Sequence, residues 1–284
     1  MKSFLHFFTI SVFSCLFLTC KTGVETDNLD PQNLYAVTSF ISPQDSIIKV
    51  YLFRGRPLGV MLRADSALVT NAIVQIKSID GNIDFSFNFD EYRYEALNLG
   101  KNKIKAGQEY NLSIKTKDGV LINGKCLVPA FAPKIGKITG AFINNDYEFS
   151  VSMSTEKNSQ YVYYQQDMKF SRKLTIGVDR PYLQFSDRDF VFPKEILPSS
   201  DLVTNGIIRN AKGTEYCNLI VTVSNLESSM FRYLKSYNNY NNWAINTGGL
   251  LPNFNEPQPI YSNLTGGIGI FAGFNQVEYM QKVK

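Results

Sequence analysis

NAIVQIKSIDGNIDFSFNFD, residues 71–90, is the stretch that decides the fold. Its first half, NAIVQIKSI, is apolar and β-branched and ends at Asp80-Gly81, a dipeptide suited to a tight turn because both residues tolerate positive φ. Beyond the turn Ile83, Phe85, Phe87 and Phe89 alternate with Asp84, Ser86, Asn88 and Asp90. Successive side chains of a strand point to opposite faces, so a period of two predicts a half-buried strand whose aromatic face enters a core.

The same grammar extends outward in both directions. IIKVYLF, 47–53, is another β-branched and aromatic run, and EYNLSIKT places Tyr110, Leu112 and Ile114 on one side. Asp118-Gly119 turns the chain, VLINGKCLVP returns, and Pro129 closes the segment. Strands about every ten residues with Asp-Gly turns predict an antiparallel β-sandwich, immunoglobulin-like in general shape. PAFAPK, 129–134, with two prolines, reads as the joint to a second β-rich part. There Tyr147, Phe149, Val151 and Met153 alternate after Asn144-Asn145, and YVYY, LTIGV, YLQF, IVTVS and GIGIF are further strand candidates. One helix is predicted over SSMFRYLKSY, 228–237, capped by Ser228 or Ser229, with Met230, Tyr233, Leu234 and Tyr237 forming one apolar stripe.

At the N-terminus, MKSFLHFFTISVFSCLFLTC has a basic start and an apolar stretch from Phe4 to Leu18, shorter than the roughly 20 residues of a membrane span. This is the pattern of an export signal. Thr19 followed by Cys20 fits a bacterial lipid-acceptor cysteine, whose acyl chains would hold the protein to a bilayer. Cys15, preceded by Ser14, is the alternative acceptor, and an ordinary cleaved signal or an uncleaved anchor is a third reading. KTGVETDNLDP, after Cys20, has no hydrophobic period and reads as a tether. The expected organisation is therefore a signal over 1–19, a flexible tether over 20–33, an immunoglobulin-like sandwich over 34–130 and a second β-rich domain over 131–284.

Composition removes several function classes. The chain has one histidine, His6, which would leave with the signal. Without imidazole no Ser-His-Asp or Cys-His nucleophile is assembled, and zinc sites of the usual kind lack ligands. No cofactor motif, metal-ligand set or catalytic motif is present in the sequence, and the expectation is a protein that is not an enzyme. A net charge of +4 is too mild to argue for nucleic acid. The surviving catalytic option is a carboxylate pair, as in glycoside hydrolysis, with Asp187 and Asp189 or Asp90 and Glu91 as local candidates. Such acids also decorate solvated strands and turns.

Three further features bear on binding. Tyr237, Tyr240 and Trp243 lie among asparagines in YNNYNNWAINTGG, 237–249, read as a long loop. There they either contact a ligand or cover a core edge. Arg54 and Arg56 in FRGRPLG either grip a carboxylate or a partner, or mark a solvated strand end. Cys126 and Cys217, both in phase with apolar neighbours, are either a disulfide or two buried thiols.

Taken in order, the N-terminal cysteine, FISPQDSIIKVYLFRGRPLG, NAIVQIKS, GQEYNLSIKTKDGVLINGKCLVP and EPQPIYSNLTGGIGIFAG make the chain resemble the Bacteroidota lipoproteins catalogued as domain of unknown function 4249. The resemblance implies a cell-envelope lipoprotein, anchored in the outer membrane on its periplasmic or surface face, beside a TonB-dependent outer-membrane transporter. It brings no catalytic residues with it. Lys21, Glu25, Asp27 and Asp30 are similar to the tether signals that send such lipoproteins outward.

Overall fold

A computed structural model describes residues 34–55, 67–144, 146–154, 162–173, 191–196, 202–208, 216–246 and 259–282. Its strands are β1 (Tyr35–Ile41), β2 (Ile47–Arg54), β3 (Ile73–Ser78), β4 (Gly81–Asp84), β5 (Ser86–Asn88), β6 (Arg93–Leu97), β7 (Glu109–Lys115) and β8 (Leu121–Leu127) in the first half. The second half supplies β9 (Lys134–Ile143), β10 (Asp146–Ser154), β11 (Val162–Lys173), β12 (Val191–Ile196), β13 (Leu202–Ile208), β14 (Tyr216–Leu226), β15 (Leu264–Thr265) and β16 (Ile268–Lys282). Among the described residues one α-helix, α1, spans Ser228–Asn246.

The molecule is mostly β, as expected, and a sandwich of two sheets forms its first half. A five-stranded sheet, β15-β8-β7-β3-β4, faces the β16-β1-β2-β6-β5 portion of an eight-stranded sheet whose full order is β12-β11-β14-β16-β1-β2-β6-β5. Between them lies one core, including Val37, Ile48, Val50, Ile76, Tyr94, Leu112, Ile114, Ile122 and Phe271. The alternation of Tyr110, Leu112 and Ile114 puts all three in it, as the period of two requires.

The opening stretch does form a hairpin, β3 against β4, with Ser78 opposite Gly81 and Gly81 at φ 129°. It does not continue as one strand. β4 pairs with β3 in the five-stranded sheet, while β5 pairs with β6 in the other. The chain crosses from sheet to sheet at Phe85, a corner that closes one side of the sandwich. Ile83 is buried and Phe85 and Phe87 pack against the core, but Phe89 is 70% exposed, contrary to the alternation. The cause is local. Asn88 Oδ1 accepts from the N–H groups of Asp90 and Glu91 at 2.9 and 3.2 Å, turning the chain before Phe89 can point inward.

The last described strand ties the far end of the chain to the first sandwich. β16 runs parallel to β1, with Ala36 opposite Ile268 and Ile41 opposite Gly273, and then continues alongside β14 to Lys282. Both of its faces are covered from Ile270 to Ala272. Phe271 enters the sandwich core, while Ile270 and Ala272 lie under α1 with Leu226 and Met230. A stretch buried on both sides must be apolar at successive positions, which is why Ile270, Phe271 and Ala272 follow one another without a polar residue. The sandwich expected over 34–130 is thus completed by residues more than a hundred positions later.

The helix expectation is corrected at both ends. The helix does not stop at 237 but runs to Asn246, so Tyr237, Tyr240 and Trp243 are helical rather than in a loop. Its N-terminal boundary is set by Glu227, whose carbonyl accepts from Phe231 N–H at 3.0 Å, and not by Ser228 or Ser229. Cys126 is a free thiol buried in the sandwich core; Cys217 stands on β14, and its side chain lies outside the described residues. Burial raises the Cys126 pKa well above its ordinary value.

Candidate functional site

At the end of the sandwich where the chain enters β1, four segments converge: the start of β1, the end of β2, residues 68–71 ahead of β3, and the β7–β8 turn. They line a cavity of about 490 Å³. Its organising group is the carboxylate of Asp118. The Tyr35 hydroxyl donates to Oδ2 at 2.6 Å, the Thr116 hydroxyl to Oδ1 at 2.5 Å, and Arg54 Nη2 to Oδ2 at 3.2 Å. The guanidinium of Arg54 also lies over the Tyr35 ring, 5.7 Å from its centroid.

Each partner is placed by its element. Tyr35 and Thr116 are buried, the former among the core residues of the first sandwich, and their hydroxyls point to the turn. Asp118 reaches them because Gly119 holds a φ of 88°, which lets the turn close through the Gly119 N–H to Thr116 carbonyl bond at 3.1 Å. Arg54 arrives by pairing of β2 with β1, which sets it opposite Tyr35. The hydrogen bonds from Thr116 and Tyr35 hold the Asp118 carboxyl below its usual range. Burial, with the Asp118 bond second, pushes the Tyr35 phenol up. The result is a fixed anion and a fixed cation side by side, with Lys117, Asn71 and Thr70 at the exposed wall and Leu68 and Val69 as the apolar one.

The residues singled out from sequence do not gather in one place. Arg54 lines the cavity, whereas Arg56 lies outside the described residues. Tyr237 and Tyr240 are 45% and 39% exposed on α1 and line no part of the cavity. Tyr237 stacks on Tyr233 with centroids 6.1 Å apart, and Tyr233 in turn meets Phe40, so this end of the stripe packs the helix onto the sheet. The Trp243 side chain, Cys20, Asp187 and Asp189 fall outside the described residues. Asp90 and Glu91 sit on the exposed β5–β6 turn, where Glu91 pairs with Arg93 at 3.1 Å. Sequence reasoning missed Tyr35, Thr116 and Asp118. Asp118 was legible only as a turn residue, and nothing local announces a partner 83 positions away.

Among the described residues, no three His, Cys, Asp or Glu side chains are grouped to hold a metal, and no helix is long and apolar enough to cross a membrane.

The family described as Domain of unknown function (DUF4249) matches residues 21–280. The chain belongs to the DUF4249 family. No curated protein matches it. Among solved structures, the FN1–FN3 domains of chicken CNTN1 are similar over 67% of this chain and 60% of theirs, at 14% identity and a TM-score of 0.27. A protein from Bacteroides uniformis proposed to bind carbohydrate is similar over 69% of this chain and 90% of its own, at 9% identity and a TM-score of 0.23. Neither overlap is close enough to inform function. For this DUF4249 chain the site must therefore be read from its own residues.

Proposed function

We propose that the protein is a cell-envelope lipoprotein of Bacteroidota type, held to the outer membrane by acyl chains on Cys20, and that it acts as a non-enzymatic binding partner of a TonB-dependent outer-membrane transporter. The observation that carries this reading is the junction at Cys20, where an apolar export segment stops and a polar tether starts. Two facts support it. The family match begins at residue 21, immediately after the proposed acceptor. The described residues begin just before β1, and the stretch from Cys20 to Leu34 would span at most roughly 50 Å at about 3.5 Å per residue. That reach keeps the Arg54–Asp118 end of the sandwich close to the bilayer.

Binding, rather than bond-breaking, is the chemistry favoured by the cavity. Asp118 is engaged by three donors and stays ionised, which suits recognition and not proton transfer. A glycan hydrolase built on two acids, or a purely adhesive surface protein, are the competing readings, and no geometry among the described residues favours either.

The experiment is fatty-acid labelling in a native host, followed by cross-linking of envelopes. Cys20→Ala should abolish labelling and release the protein from membranes, and the wild type should cross-link to an outer-membrane barrel. Labelling that survives Cys20→Ala but is lost with Cys15→Ala would move the anchor. A wild-type pull-down without any barrel would remove the transporter from the account.

A further inference from the structure

We infer that the cavity between Arg54 and Lys117 is a binding site for a small ligand carrying one carboxylate, of about the size of a single sugar ring or a dipeptide. This deepens the reading of the protein as a binding partner; it does not depend on the lipid anchor.

Charge decides the class of ligand. Among the described residues, two cations, Arg54 and Lys117, and one carboxylate, Asp118, line the cavity, leaving one positive charge in surplus there. Arg54 is held by Asp118 and by the Tyr35 ring, so its planar fork is oriented before any ligand arrives. Lys117 has no ion pair among the described residues. It is exposed at the turn and free to swing onto an incoming anion. A ligand carboxylate bridging the two would form charge-assisted hydrogen bonds, the stronger kind. A free cation as ligand would meet the surplus charge and be repelled.

The remaining walls set size and secondary contacts. Leu68 and Val69 offer an apolar side, and Asn71, with both donor and acceptor capacity, stands next to them. About 490 Å³ lies at the lower part of the range for small-molecule sites and suits a ring or two residues of peptide, not a polymer chain. The floor is rigid because Tyr35 and Thr116 are buried and hydrogen-bonded, so little ordering is needed on binding.

Hexuronates and dipeptides share this chemistry and are separated by the test. The full-length purified protein is titrated by calorimetry with glucuronate, galacturonate and glycyl-alanine. Glucose and the methyl ester of glucuronate serve as uncharged controls. At least one carboxylate should bind, the controls should bind about tenfold more weakly or not at all, and added salt should weaken the interaction. Lys117→Gln should reduce affinity about tenfold without shifting the melting temperature, since Lys117 supports no fold contact among the described residues. Equal binding of ester and acid, unchanged affinity in Lys117→Gln, or no binding by any of the three acids at 10 mM would each overturn the inference. These outcomes are independent of the labelling and cross-linking results, which test the anchor and the transporter.

Discussion

Asn98 shows how single polar residues fix this sandwich. It is 3% exposed, donates from Nδ2 to the carbonyls of Ser42 and Asp45 at 3.0 and 2.6 Å, and accepts from Ile104 N–H at 2.6 Å. It thereby replaces water for three backbone groups in the β1–β2 turn and the loop after β6. Asn98→Ala should cost about 2–4 kcal/mol, read by urea denaturation, because those groups stay buried without partners. Glu227 makes the opposite case. Burial raises its carboxyl to about 7, although it accepts from the N–H groups of Gly273 (3.0 Å) and Leu127 and from the Ser229 hydroxyl. Since the folded pKa exceeds the unfolded one, the folded state binds the proton more tightly, and this group's contribution is lost as pH rises from about 4.5 to about 7. The loss is at most about 3 kcal/mol. Glu227→Gln should flatten the stability profile over that interval, and profiles of wild type and variant that run parallel would contradict the assignment. None of this was legible beforehand. Asn98 and Glu227 look like ordinary surface residues in sequence, and the Tyr35–Asp118 pair is made by topology rather than by any local pattern.

At the scale of elements, the strands of the first half were legible because each has one face in a core, and burial of alternate residues is written into the sequence. What failed were places where tertiary contacts override local preference. Asparagines are poor helix formers, so YNNYNNWAIN reads as a loop. The helix continues through it, its preceding turns held by Met230, Tyr233 and Leu234 against Phe40 and Phe274 and by the Ser236 hydroxyl accepting from Tyr261 N–H at 2.8 Å. The F-x-F-x-F pattern likewise concealed the move from β4 to β5, because alternation is preserved across a corner. In GGIGIFAG, 266–273, one glycine permits a close backbone approach. Gly269 has φ 116°, and a Cβ there would collide with the Val37 carbonyl on β1. Gly269→Ala should therefore part β16 from β1 and destabilise by several kcal/mol, on the order of 3 or more, as read by thermal or urea unfolding. A change under about 1 kcal/mol would show that the β1–β16 pairing is not essential.

Seen as a whole, the molecule is organised around a long strand that belongs to both halves. β16 pairs with β1 in the first sandwich and with β14 beyond it, so the eight-stranded sheet is continuous from one half to the other. The chain enters this body at β1, beside the Arg54–Asp118 cavity and at the opposite end of the sandwich from the point where β16 leaves it. An anchor on Cys20 would then set that cavity toward the membrane and the second half away from it. The whole orientation rests on the acyl chains, and their presence can be weighed directly. The protein is purified from its own host in detergent, digested, and the mass of its first peptide measured. The account predicts a peptide starting at Cys20 and heavier by a diacylglyceryl group, with or without a further acyl chain. A first peptide of unmodified mass, or one still containing residues 1–19, would contradict it.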